Sequence, residues 1–281
     1  MASASRCDHE VKVVVARKKF ARLVNAAMSA VAATRNVSDG LNALAWSLPI
    51  SEGDNIVLTD SGEHPNNVYP WLRQKRRGCK LRMVKRNPDG SINTDAMVEA
   101  MDERTRILTC SSVSYSPGHR ADINRLGESC RARDVFFLVD GVQSAGILHH
   151  DFSLEPIDGF ATSTSKGLLG LYGFGFLYIR PNWIDRLEPA YLSRSAIHHE
   201  NGGHSAMGDH DYRLYPDSRR FEVGSYNLAG AYAAEASLDL LLGLGTKAIE
   251  NHVLDLATHL HEGLSMIGIR PAVESCGPKQ S

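Results

Sequence analysis

The chain has 281 residues, of which 43% are hydrophobic and 22% charged, a soluble-globular balance with enough apolar material for a sizeable core. Lys plus Arg number 31 against 32 for Asp plus Glu, a net charge of −1, which removes any electrostatic reason to expect a nucleic-acid or anionic-membrane partner. The five cysteines (Cys7, Cys79, Cys110, Cys130 and Cys276) are odd in number and form no CxxC pair, which argues against a disulfide framework or structural zinc and for a reducing, cytoplasmic setting.

At the N-terminus Asp8 and Glu10 precede any apolar stretch, so no secretory signal is expected, and no apolar run is long enough to span a bilayer. A helix is expected to open the chain. Asn36-Val37-Ser38-Asp39-Gly40 leads into a second helix at 41–48, with Ser38 as a natural N-cap. Strands are expected at NIVLTD (55–60), KLRMV (80–84), ILTCSS (107–112) and VFFLVD (135–140), then at 159–162 and GFLYI (175–179). Helical spacing fills the gaps at 66–78, 94–101 and 122–133. Residues 196–217, rich in His, Gly, Asp and Ser, read as a long loop, followed by helices at 227–242 and 245–267 and a strand-like stretch at 268–273. Alternating strands and helices predict an α/β fold with a mainly parallel sheet covered on both faces, and ligands in such sheets sit beyond the carboxyl ends of the strands.

Asp140 ends the strand VFFLVD, where a carboxylate can bind magnesium, a ribose or a cationic ring nitrogen; Gln143 follows in the next turn. Lys166 lies in Ala-Thr-Ser-Thr-Ser-Lys-Gly, just past another short strand and ahead of Gly167, Gly170, Gly173 and Gly175. An amine in such a pocket can form a Schiff base once its pKa is lowered. His64, in Glu63-His64-Pro65-Asn66-Asn67, is a third strand-end residue. Singly, each has a plainer role: a solvated lysine, a turn-forming aspartate, a loop histidine. Together they point to one site.

Four segments carry a resemblance: GEHPNNVYPW (62–71), LVDGVQSAGILHHDF (138–152), ATSTSKGLLGLYGFGFLYI (161–179) and RFEVGSYNLAG (220–230). In order and spacing they resemble the class V aminotransferase family of pyridoxal 5'-phosphate (PLP) enzymes, especially cysteine desulfurases, over about residues 16–268. The resemblance implies a PLP-transferase type I fold with a seven-stranded sheet sandwiched by helices. It implies a large PLP-binding domain at 1–244 and, at 245–281, a connecting helix and the start of a truncated C-terminal domain. It makes Lys166 the lysine of the internal aldimine, Asp140 the partner of the ring nitrogen, Gln143 a donor to the phenolic oxygen and His64 the residue stacked on the ring.

The phosphate would lie at the helix start after Asn36, where free N–H groups and the helix dipole suit an anion. The family commonly has two threonines there; Val37 departs from that and offers its backbone, beside Ser38. Ser163 and Ser165 flank the lysine, with Ser165 where the family often has His. In relatives a hydroxyl like that of Ser225 reaches the phosphate of the neighbouring subunit, which implies a homodimer. The expected activity is PLP-dependent transfer or lysis on a small amino acid, cysteine desulfurase-like. The alternatives are a lyase or epimerase of the same family, or a non-catalytic paralogue that binds PLP or a partner subunit. Two departures bear on the substrate. The resemblance finds no counterpart here for the C-terminal portion that carries the cysteine nucleophile and carboxylate-binding arginine of desulfurases, nor for the N-terminal strand and substrate loop the family has ahead of the first helix. Tyr115, where desulfurases often carry Asn, is more like epimerase-type or lyase-type relatives.

A metal site is not expected. His198, His199, Glu200, His204, Asp209, His210 and Asp211 cluster, but His199-Glu200 to His204 is one residue too long for HExxH, and Gly202-Gly203 opposes a helix. Neither GxxxxGK[ST] nor GxGxxG occurs, so nucleotide and dinucleotide readings have no motif.

Overall fold

The computed structural model describes residues 6–198 and 213–271. Helix α1 (Arg6–Leu23) opens the chain and leads to β1 (Val31–Thr34), α2 (Val37–Ser47) and β2 (Asn55–Thr59). A 3-10 turn at Pro65–Asn67 precedes α3 (Tyr69–Gln74) and β3 (Lys80–Val84). Then come α4 (Thr94–Glu99), β4 (Thr105–Ser111), α5 (Ile123–Arg131), β5 (Phe136–Asp140), β6 (Gly159–Ser163) and β7 (Gly175–Ile179). The short α6 (Pro181–Ile184) and the long α7 (Leu228–Leu244) and α8 (Thr246–Met266) are the remaining α-helices among the described residues.

The seven strands form one sheet in the order β1-β7-β6-β5-β4-β2-β3. Only β7 runs against its neighbours, so the sheet is mainly parallel, as expected. Six of the strands fall where the sequence predicts them. β1 does not: VAAT has two alanines at its centre and little intrinsic strand preference, and pairing with β7 supplies what the local sequence lacks.

Both faces of the sheet are covered, so β5, β6 and β7 are buried along their whole length. Along β5, Phe136 and Leu138 face one cluster, with Leu41, Leu44 and Trp71, while Phe137 and Val139 face the other, with Phe20, Leu126 and Leu238. The second cluster is closed by α1, whose buried residues Val13, Ala16, Arg17, Phe20 and Ala21 recur at the three- and four-residue spacing of a helix face. The Phe20 ring stacks on Phe176 at 4.3 Å, and Lys12 and Lys19 tie α1 to α7 through Glu235 and Asp239 at 2.6 and 2.5 Å.

The outer edge of β1 meets side chains. Arg17 Nε donates to Val31 O at 2.9 Å, Ala33 N donates to Glu222 Oε1 at 3.0 Å, and Tyr226 Oη donates to Ala33 O at 3.1 Å. Helix α8 differs from the rest in having no buried residue. The strand-like stretch expected at 268–273 is not strand through Pro271, and its remainder lies outside the described residues. Among the described residues no helix is long and apolar enough to cross a membrane.

Candidate active site

The parallel strands β2, β4, β5 and β6 all end at one edge of the sheet, and the candidate residues gather there. Register sets their orientation. Asp140 pairs with Ser111 on one side and Ala161 on the other, so these three side chains share the face covered by α2. Helix α2 lies close on that face: a Cβ on Gly40 would sit 3.0 Å from the Ala161 Cβ.

Asp140 is 1% exposed. Its Oδ1 accepts from the Val142 amide at 3.0 Å, and its Oδ2, equally buried, has no hydrogen-bond partner. Burial, aided by the negative charge of Glu63 and opposed by the Val142 hydrogen bond, pushes the carboxyl up to about 7. A buried carboxylate oxygen without a donor is costly unless something supplies one.

Next to it lies a network that the sequence reading did not single out. Glu63, with a side chain 1% exposed, accepts from the Ser111 amide at 3.2 Å, from the Ser111 hydroxyl and from Asn67 Nδ2 at 3.4 Å. The buried Arg86 guanidinium stands 3.8 Å away. The only sequence signal for this pair is a carboxylate inside a strand-end segment otherwise chosen for its histidine. His64, the next residue, accepts from Asn66 N through Nδ1 at 3.2 Å, capping the 3-10 turn, and its ring meets Tyr115 edge-on at 5.4 Å.

Lys166 stands exposed on the turn between β6 and β7. That turn is held by Thr164, whose buried hydroxyl lies 2.6 Å from Leu171 O and 3.0 Å from Phe174 O. It is also docked on the segment that follows Gln143: a Cβ on Gly146 (φ +82°) would lie 2.3 Å from Gly167 O. The close approach of the two backbones requires glycine there and ties the lysine turn to the Asp140–Gln143 turn. Gln143 is partly exposed beside them.

At the start of α2 the structure corrects one expectation. The N-cap is Asn36, not Ser38: Asn36 Oδ1 accepts from Asp39 N at 2.9 Å, and Ser38 lies inside the first turn. Asparagine in extended backbone reaches the third amide as well as serine does, and it stands two residues earlier. Val37 N donates to Ser163 Oγ at 2.8 Å, so these two candidate residues bond each other, whereas the Ser38 amide has no acceptor within its helix. Ser165 is partly exposed beside Lys166. Ser225 (φ +51°) is exposed on a separate cleft of about 830 Å³, shared with Arg17, Ser195 and Tyr226. Its neighbour Asn227 reaches back to the lysine hairpin through Tyr172 O at 2.7 Å.

Among the described residues no three His, Cys, Asp or Glu side chains are grouped to hold a metal ion; positions 199–211 of the His-rich cluster lie outside them.

A model of the class-V aminotransferase family matches residues 5–280. The chain belongs to this family. The class-V family is PLP-dependent. A probable cysteine desulfurase of Methanothermobacter thermautotrophicus is 31% identical over 256 residues, which are 91% of this chain and 62% of that protein. The apo structure of a cysteine desulfurase from Thermococcus onnurineus NA1 superposes with a TM-score of 0.81 at 26% identity, covering 96% of this chain and 67% of that one. A C-DES variant with glycine covalently linked to its PLP cofactor gives a TM-score of 0.84 at 23% identity, over 93% of this chain and 69% of that one, and so speaks to the fold. This class-V chain thus has the PLP-transferase α/β fold and spans a little under two thirds of the length of the curated relative.

Proposed function

We propose that this class-V chain binds PLP through Lys166 and acts on a small amino acid in the manner of a cysteine desulfurase. The observation that carries the reading is Asp140 Oδ2, an acceptor sealed from water with no donor of its own. A protonated pyridine nitrogen is the donor that such an oxygen fits. Bound PLP supplies an electron sink for the substrate's α-carbon.

The residues divide the work. Asp140 holds the proton on the ring nitrogen. The Lys166 amine would hold the cofactor through its aldehyde carbon, the one covalent attachment this reading requires of the chain. His64 covers the ring face while Gln143 donates to the phenolic oxygen. At the start of α2 the Ser38 amide and hydroxyl receive the phosphate with Ser163 and Ser165, and the Val37 amide joins them only by leaving Ser163 Oγ. The exposed position of Lys166 beside a docked turn supports a lysine reachable from solvent. Three buried free cysteines, Cys79, Cys110 and Cys130, support a reducing, cytoplasmic setting. The absence of buried residues on α8 supports a boundary near residue 244, with a smaller domain beginning at 245.

Purified Lys166→Ala, incubated with PLP and reduced with borohydride, should carry no covalent chromophore, while its far-ultraviolet dichroism matches wild type. Retention of the reducible chromophore by this variant would show that another lysine binds the cofactor.

The homodimer rests on Ser225 and on apolar side chains around the site: Tyr69, Tyr115, Leu169 and Tyr172 are 66%, 58%, 60% and 82% exposed. Exposed apolar groups gathered in this way mark an interface. Light scattering should give a dimer, and Ser225→Ala should weaken PLP binding by about 1 kcal/mol, one hydrogen bond. A monomer holding PLP tightly at nanomolar concentration would refute the shared site.

A further inference from the structure

Behind the Asp140 turn, on the side away from α2, runs a buried chain of polar groups that the proposed chemistry does not use. Glu155 Oε2 lies 3.0 Å from His150 Nδ1. His150 Nε2 lies 2.9 Å from Ser144 Oγ, and Ser144 Oγ lies 2.6 Å from Ser112 Oγ. Ser144 is 0% exposed, Ser112 2% and His150 3%. The imidazole is walled by Phe152 and Phe160, with ring centroids at 5.6 and 5.2 Å. Only Glu155 reaches a surface cleft, where it meets Arg131, His149 and Lys247.

The partners fix the direction of the chain. A carboxylate only accepts, so His150 Nδ1 carries a proton and donates to Glu155. In the tautomer that carries its proton on Nδ1 alone, Nε2 accepts the hydrogen bond of the Ser144 hydroxyl. Ser144 Oγ in turn accepts from Ser112. Both hydroxyls have a second choice: Ser144 Oγ is 3.3 Å from Gly141 O, and Ser112 Oγ is 3.3 Å from Asp140 O. These carbonyls flank the peptide that carries the Asp140 side chain into the site, and the Asp140 carbonyl already accepts from Ser112 N at 3.0 Å. With His150 as the stronger acceptor, the hydroxyl protons are drawn away from both. Without it they turn onto the carbonyls and pull the 141–144 turn, which bears Gln143, toward the back of the sheet.

We infer that His150, oriented by Glu155, is a positioning residue that sets the Asp140–Gln143 turn for the cofactor ring. The inference rests on the PLP reading above, and it adds a residue that touches neither cofactor nor substrate.

The test compares His150→Leu, which keeps bulk without polar atoms, with His150→Gln, whose amide can still engage Ser144. Each is titrated with PLP by absorbance. His150→Leu should bind about tenfold more weakly, the effect of about one buried hydrogen bond, with a displaced absorption maximum; His150→Gln should recover most of both. If His150→Leu does not fold, Glu155→Ala, which removes the acceptor of Nδ1 at the exposed end, decides in its place and should weaken PLP binding in the same direction. Wild-type affinity and spectrum in a folded His150→Leu, or in Glu155→Ala where that variant decides, overturn the inference. A wild-type protein that takes up no PLP sinks the cofactor reading instead. His150 is then judged on the apo protein, through the near-neutral titration of Asp140 seen in pH-dependent urea unfolding. A midpoint moved in His150→Leu (in Glu155→Ala if the former does not fold) supports positioning, and an unmoved one overturns it.

Discussion

In the apo protein, Asp140→Asn should be more stable than wild type above neutral pH and nearly equal to it near pH 4. The folded chain holds this carboxyl up to about 7, against 3.8 for the free group, chiefly through burial. Between those values the folded state keeps a proton that the unfolded chain has released. Stability from this group is therefore complete below pH 3.8, falls as pH rises, and is exhausted above about 7. At 1.36 kcal/mol per pH unit the full difference is roughly 4 kcal/mol, an upper bound because water entry relieves part of it. The substituted amide has no proton to lose, so urea unfolding of the two proteins at acid, neutral and alkaline pH isolates the slope. Parallel curves at every pH would mean that Asp140 ionises freely. On the proposed PLP reading the order reverses once cofactor is added, because a cationic ring nitrogen would stabilise the charged carboxylate, and the variant would lose most of the proposed turnover.

Gly141→Ala should destabilise the fold by roughly 3 kcal/mol or more, at the upper end for overpacking. A Cβ there would lie 1.7 Å from Phe160 Cζ. Phe160 cannot yield: it is 0% exposed and packs against Phe152 at 4.9 Å and His150 at 5.2 Å. Gly141 follows Asp140 directly, so any shift that relieves the clash also moves the carboxylate. Phe160→Leu in the same chain should return part of the lost stability, giving a non-additive pair in a double-mutant cycle. A Gly141→Ala midpoint indistinguishable from wild type would show that the turn has slack.

The legible parts of this protein are those that periodicity and strand ends report. VFFLVD and GFLYI announce buried strands through their own composition, and the placement of Asp140 at the end of the first and of Lys166 just past β6 is visible in the sequence. The cap of α2 was within reach as well, but Ser38 and Asn36 are both good capping residues, and only backbone geometry decides for Asn36. β1 is hidden because VAAT becomes a strand through β7, which lies far along the chain. The polar networks are hidden for the same reason: Ser111 meets Glu63 across 48 positions, and Ser112 meets Ser144 across 32. No local pattern marks such a pair.

The free edge of β1 limits how the protein can associate. An open sheet edge invites a strand from another molecule, through its row of unpaired amides and carbonyls. Here Val31 O, Ala33 N and Ala33 O are already taken by Arg17, Glu222 and Tyr226. An incoming strand would have to evict a buried Arg17–Glu222 ion pair at 3.2 Å before forming its first backbone bond. At this end of the molecule, then, the sheet cannot grow by strand addition into a continuous intermolecular sheet or fibre, and subunits that meet here must do so through side chains.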